Sequence, residues 1–296
     1  MRRPSAAAKL RELLATSGIK MMPCCADALG ARCVEEAGFP LTFVSGFSLA
    51  ATKRLPDTGL LSYKEVLDAM ADVAVATSLP VIGDADAGYG NAINAKRTVQ
   101  GFARAGLAGA MIEDQLAPKR CGHTRDKAVV EFDDAVARVR AAVDAAAEGP
   151  DDLVIIARTD ARATHGLDEA IRRCAAFREV GADVTFLEAP RSVDEMRQYC
   201  SKVSGHKMAN ILEGGLTPEL PASQLESLGY SLAAYPLTLL NASIMGMRGA
   251  LDALKSGDKP PPSISFEECQ RTVGFPEYYA EEARYRTLPS ASRLSR

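Results

Sequence analysis

Charge of one sign is not in excess along this chain: 35 basic residues face 38 acidic ones, for a net charge of −3. No field therefore favours a polyanion or an acidic bilayer surface, which excludes nucleic acid and membrane lipid as expected partners. No apolar run is long enough to span a bilayer. The seven cysteines, Cys24, Cys25, Cys33, Cys121, Cys174, Cys200 and Cys269, form an odd set without paired metal-ligand spacing. With no secretory leader ahead of them, they read as reduced thiols of a soluble cytoplasmic protein. Internal repeats, low-complexity tracts and a glycine-rich nucleotide turn are also missing. What is left is small-molecule chemistry in a globular chain, since 47% hydrophobic and 25% charged residues over 296 positions suit one large domain.

The first residues, MRRPSAAAKLRELL, carry no acid before Glu12, a composition shared with organelle-targeting segments. Leu10, Leu13 and Leu14 fall on one helical stripe, so a helix of the folded protein is the preferred reading. Targeting stays as the alternative.

Short apolar runs then recur, each followed by a helical period. They are Met21–Cys25, Leu41–Ser45, Pro80–Asp84, Gly109–Glu113, Leu153–Arg158, Val184–Glu188, Lys207–Ile211 and Ser231–Tyr235. Between them Phe132, Val136, Val139 and Val143 share a face, as do Leu167, Ala170, Ile171, Cys174 and Phe177. Strands alternating with helices give a parallel sheet, and eight strands favour an α/β (β/α)8 barrel over an open doubly wound sheet. The barrel with its N-terminal helix is expected over residues 1–257. Pro260–Pro262 mark a stiff connector, and residues 258–296 read as a C-terminal helical extension whose aromatics, Phe275, Tyr278, Tyr279 and Tyr285, ask for a neighbour to pack on.

Active sites of such barrels lie at the carboxyl ends of the strands. Here the runs end in Ser45, Asp84 with Asp86, Glu113 with Asp114, Arg158 with Asp160, Glu188, Asn210 with Glu213, and Tyr235. A single polar ending is ordinary. A rim of carboxylates is repulsive unless a cation sits among them. Oxygen ligands alone suit Mg2+, with Mn2+ as a substitute, and Mg2+ takes one or two carboxylates directly while keeping several waters. A turn after Asp84 would let Asp86 approach the same ion, and Asp57 and Glu113 could hold its waters. Lys119-Arg120-Cys121-Gly122-His123 is the sharpest local feature. Its cations and flexible glycine suit a mobile loop that binds carboxylates and lowers the thiol's pKa.

The segment KRCGH resembles the signature of isocitrate and methylisocitrate lyases, in which the cysteine is a catalytic acid/base on a gating loop. The stretches FVSGF, LPDTGLL, DADAGYGN, IEDQ, ARTDARATHG, EAP, ANILEGGLTP and YPL extend the likeness over nearly the whole chain. The sequence is thus similar to the isocitrate lyase/phosphoenolpyruvate mutase superfamily, with the branch acting on substituted malates nearest and methylisocitrate lyase next. The resemblance implies that Asp84 touches Mg2+ and that Asp57, Asp86 and Glu113 hold its waters. It places Ser45 and the Gly46 and Phe47 amides on a substrate carboxylate and Arg158 on the oxyanion. Cys121 becomes the proton donor, with Lys119, Gly122, His123, Glu188 and Asn210 lining the pocket and Thr217 touching the substrate. It implies cleavage of a carbon–carbon bond in a 2-hydroxy di- or tricarboxylate. It also implies a homotetramer, a dimer of dimers exchanging a C-terminal helix.

Two positions depart from the pattern. Methylisocitrate lyases resemble this chain but carry Tyr at the position of Phe43, and the substituted-malate branch tends to have Tyr at 47. Phenylalanine at both leaves no phenol to take the C2 hydroxyl proton, and bulky Phe47 favours a substrate smaller than a tricarboxylate. Hydrolysis or decarboxylation of oxaloacetate is the nearest alternative activity. A phosphonopyruvate-type mutase or hydrolase is disfavoured by Cys121, where the mutases bear asparagine. A Schiff-base aldolase lacks its strand-end lysine. A non-catalytic dicarboxylate-binding barrel would have little use for Asp84, Cys121 and Arg158 together.

Overall fold

The structure is a computed structural model that describes residues 4–124, 126–149, 152–261 and 264–286. Part of the anticipated connector and tail, Pro262 and residues 287–296, lies outside the described residues, as do Met1, Arg2 and Arg3.

Eight strands follow the expected runs: β1 Lys20–Cys25, β2 Thr42–Val44, β3 Val81–Asp84, β4 Gly109–Glu113, β5 Val154–Thr159, β6 Val184–Leu187, β7 His206–Asn210 and β8 Leu232–Tyr235. All neighbours pair in parallel, and β8 returns to β1, closing the barrel. From β2 to β6 every strand residue is buried, as a sheet covered on both faces requires.

The first half of the chain adds helices α1 Ala6–Ala15, α2 Ala28–Glu36, α3 Gly46–Thr52, α4 Tyr63–Ala76, α5 Ala92–Arg104 and α6 Phe132–Glu148. The second half adds α7 Ala161–Thr164, α8 Leu167–Glu179, α9 Val193–Lys202, α10 Ala222–Leu228, α11 Thr238–Ser256, α12 Phe266–Thr272 and α13 Phe275–Tyr285. Local chemistry sets the starts. Asp27 and Ser192 accept backbone N–H groups at the openings of α2 and α9, and Ser62 with Glu65 forms a capping box on α4.

The N-terminal stripe does become a helix. Leu10 and Leu14 of α1 are buried with Met22, Ile82, Val154 and Leu232, the side chains filling the barrel's interior. Arg11 fastens the helix from outside through Asp183, at 2.6 Å. α1 therefore stoppers the amino end of the barrel and leaves the carboxyl end for chemistry.

The chain divides into two compact units, Met1–Ile244 and Met245–Arg296. This division falls within α11, earlier than the anticipated 257/258 boundary. In α11, α12 and α13 no described residue is buried, although Met245, Leu254, Phe266 and Tyr278 are large and apolar. No described helix is long and apolar enough to cross a membrane.

Candidate active site

Parallel register sets the polar rim. Glu113 at the end of β4 lies opposite Arg158 of β5, and Arg158 lies opposite Phe186 of β6. Above them a cavity opens at the carboxyl end of the barrel. One wall carries Asp57, Asp84, Cys121, His123, Arg158 and Glu188, and Ser45, Gly122 and Asn210 complete the polar lining. The apolar part of the lining is Phe43, Phe47, Leu212, Pro236 and Leu237, with Met111, Phe186 and Met208 on the strands. Gly46, Asp86 and Lys119 line a smaller adjoining cavity that shares Asp57 and Asp84. Glu113 and Thr217 are buried and line neither; Thr217 Oγ1 has no partner among the described residues.

The acidic cluster gathers as expected, but around a lysine. The Lys119 ammonium lies 2.5 Å from Asp57 Oδ1 and 2.6 Å from Asp86 Oδ1. Burial alone would lower its pKa, yet Asp86, Asp84 and Asp57 outweigh burial and raise it. Asp86 sits past the strand at φ 48°, a left-handed turn that brings its carboxylate back toward the others. Burial and its neighbour Asp84 push the Asp86 carboxyl up to about 6 against the pull of Lys119. Asp84 accepts the Asp86 and Gly46 amides, each at 3.1 Å. Gly46 is needed there, because a Cβ would stand 2.8 Å from Asp84 Oδ2.

Would this set hold a divalent cation? The donors are all oxygens, and Glu113 Oε1 is buried without a hydrogen-bond partner among the described residues. No three His, Cys, Asp or Glu side chains among the described residues are close enough to ligate one ion directly. All-oxygen donors are the chemistry that Mg2+ takes, one or two carboxylates directly and the rest through its waters.

Arg158 is the fixed positive charge of the rim. Its guanidinium binds Asp160 through Nε at 2.8 Å and Nη2 at 3.1 Å, and it lies 3.1 Å from Glu188 and 3.4 Å from Glu113. Glu188 in turn lies 3.1 Å from His123 Nε2 and accepts from Asn210 at 3.5 Å. Burial would raise the Glu188 carboxyl, but Arg158 and His123 hold it at about 2. The Leu216 amide donates to His123 Nδ1 at 3.0 Å, which leaves Nε2 to carry the proton toward Glu188. Ser45 opens α3, where its hydroxyl accepts the Ser48 amide at 3.4 Å.

One expectation is reversed. The charged surroundings of Cys121 were to lower its pKa, but burial raises it and Asp57 and Glu188 add to the rise, while Arg158 opposes them. The group facing the cavity is a protonated thiol, which suits a proton donor.

Sequence reasoning passed over a buried network behind this wall. Asp114 accepts from Thr159 Oγ1 at 2.6 Å and from the Asp160 amide at 2.9 Å, and Arg173 of α8 reaches it at 3.0 Å. Lys127 reaches Asp160 Oδ1 at 2.8 Å. Asp114 and Asp160 were visible as strand endings. Lys127 gave no signal, being one lysine in a polar stretch.

Known proteins match this chain closely. The family model for phosphoenolpyruvate phosphomutase covers residues 10–255. A chloroplastic protein of Arabidopsis thaliana named carboxyvinyl-carboxyphosphonate phosphorylmutase is 39% identical, over 96% of this chain and 86% of its own. The 2,3-dimethylmalate lyase of Eubacterium barkeri is 37% identical, over 95% of this chain and 98% of its own. A solved oxaloacetate acetylhydrolase with bound 3,3-difluorooxalacetate superposes at a TM-score of 0.92 with 31% identity, covering 96% of this chain and 98% of the other. With the barrel, the rim and these likenesses in agreement, the chain belongs to the phosphoenolpyruvate mutase/isocitrate lyase superfamily and is a carbon–carbon lyase of that family.

Proposed function

We propose that this enzyme is a Mg2+-dependent lyase that cleaves the C2–C3 bond of a 2-hydroxy dicarboxylate, an alkyl-substituted malate, to a 2-oxo acid and a carboxylate. The observation that carries this reading is a cavity lined by Arg158, Asp84 and Cys121 together with the apolar side chains of Phe43, Phe47, Pro236 and Leu237. The polar lining suits the carboxylates and the hydroxyl. The apolar lining offers alkyl groups a surface and offers a third carboxylate no cation.

Asp84 would hold the metal, with Asp57, Asp86 and Glu113 acting through its waters, and Ser45 would meet the carboxylate of the 2-oxo acid half with the Phe47 amide, the expected Gly46 amide being taken up by Asp84. When bound, Mg2+ supplies Lewis-acid polarisation of the hydroxy-acid oxygens. Arg158 keeps a fixed positive charge where the oxyanion forms. The C2 hydroxyl proton passes to solvent water, its O–H pair becomes the second C2–O bond as the C2–C3 pair moves to C3, and the Cys121 thiol protonates that carbon; the thiolate then takes a proton back from solvent, so none is gained or lost overall. Arg158, with His123, holds the Glu188 carboxylate ionised, and Asn210 donates to it. Phe43 and Phe47 bring no phenol for the hydroxyl proton.

Hydrolysis of oxaloacetate is the second reading, favoured by the likeness to the acetylhydrolase. A panel of 2,3-dimethylmalate, citramalate, 2-methylisocitrate, isocitrate and oxaloacetate, each with Mg2+ and with EDTA, separates them. Pyruvate formed from a methylmalate only with Mg2+ is the expected result. Oxalate and acetate from oxaloacetate alone would establish the second reading, and turnover insensitive to EDTA would remove the metal.

We infer further that the working form is a homotetramer in which an apolar C-terminal segment covers a neighbouring copy. Exposed Met245, Met247, Leu251, Leu254 and Phe266 support this, because apolar surface on that scale marks an interface.

A further inference from the structure

The segment between β4 and α6 carries Lys119, Cys121 and His123, and it is fastened at three places. At its base the Gln115 side chain binds both the N–H and the C=O of Arg120, each at 2.8 Å. At its tip His123 sits between the Leu216 amide and Glu188. Beneath, the Lys127 ammonium donates to the Gly122 carbonyl and to Asp160 Oδ1. The Lys127 side chain is only 2% exposed and that of Asp160 0%. The same Asp160 carboxylate grips Arg158 in bidentate fashion.

We propose that Lys127 is a positioning residue, which through Asp160 ties the carbonyl between Cys121 and His123 to the guanidinium of Arg158. The proton-donating thiol and the oxyanion's partner then take up their working places together. This rests on the lyase reading of the site.

Two observations favour this role over a plain stabilising ion pair. Arg158 already holds Asp160 with two parallel bonds, and bringing an ammonium out of water to a buried carboxylate offsets most of the attraction gained. What Lys127 adds is the location of Gly122. That residue has no freedom to drift inward, since a Cβ there would overlap Arg158 Nη2 and stand 2.5 Å from Glu188 Oε2. The backbone is pressed against the catalytic wall, and the lysine holds it there.

The test is iodoacetamide alkylation of the full chain without substrate, read cysteine by cysteine through peptide masses. Exposed Cys33 reports on the reagent and buried Cys174 on the fold. In Lys127→Met the Cys121 thiol should react roughly ten- to a hundredfold faster, the equivalent of one charge-assisted hydrogen bond lost, with Cys33 unchanged and Cys174 silent. Lys127→Arg should restore most of the protection. A wild-type rate at Cys121 in Lys127→Met overturns the proposal. If Cys174 becomes reactive in that variant, Lys127→Gln is read by the same criteria. Once a substrate is found, kcat should fall in Lys127→Met at constant KM and recover in Lys127→Arg, whereas a raised KM at constant kcat counts against the tether. Failure of every acid in the panel would remove the lyase reading and leave the alkylation rates to decide on Lys127.

Discussion

Cys121 faces its cavity as a thiol because burial outweighs the His123 backbone hydrogen bond and the charge of Arg158, and a thiol that keeps its proton has one to give. Cys121→Ser should lower kcat by about 10² to 10⁴-fold, the range of general acid–base catalysis, in a steady-state assay with the preferred acid. Glu188 carries the opposite shift. Its carboxyl is held at about 2, below its ordinary 4.5, so its contribution to stability is complete above the ordinary value and is lost as pH falls toward 2. Glu188→Gln should cost about 3 kcal/mol in neutral denaturant titrations, shrinking as pH falls through that window; a pH-independent difference would show that the ion pair with Arg158 contributes nothing. Gly46 is constrained by the room its neighbours leave. Gly46→Ala would displace the Asp84 carboxylate, and Mg2+ affinity by calorimetry should fall roughly tenfold or more while the melting temperature barely moves.

Elements were far easier to read than the contacts between them. The eight strands are legible because each is a short apolar run closed by a polar residue, and a barrel buried on both faces writes that pattern directly into the chain. The endings identified Asp84, Glu113 and Arg158 as rim residues for the same reason. Three things were not legible. Lys119 stands among the carboxylates, a pairing between distant segments that no local spacing encodes. The Cys121 shift depends on how deeply its segment is buried, which charge counting cannot supply. Lys127 works through a carboxylate 33 residues further on. α1 was read correctly from three leucines, and its contribution is measurable. Leu10→Ala, at a side chain with 0% exposure, should destabilise the fold by about 2–5 kcal/mol in a urea titration.

At the level of the whole molecule, the unburied helices set the terms. Between β1, α2 and β8 the barrel carries an apolar groove lined by Met21, Val34, Phe39, Tyr235 and Leu239. Removing residues 258–296 should shift gel filtration toward smaller species and weaken the dependence of the melting temperature on protein concentration; an unchanged elution volume would argue against exchange of this segment.

The stopper formed by α1 has a kinetic corollary. With Leu10 and Leu14 packed into the floor, the described residues leave the carboxyl mouth as the approach to the cavity, so on the proposed lyase reading both fragments of a severed acid would depart by the way the acid came in. Egress would then be a queue, with the deeper piece competing against the next incoming molecule.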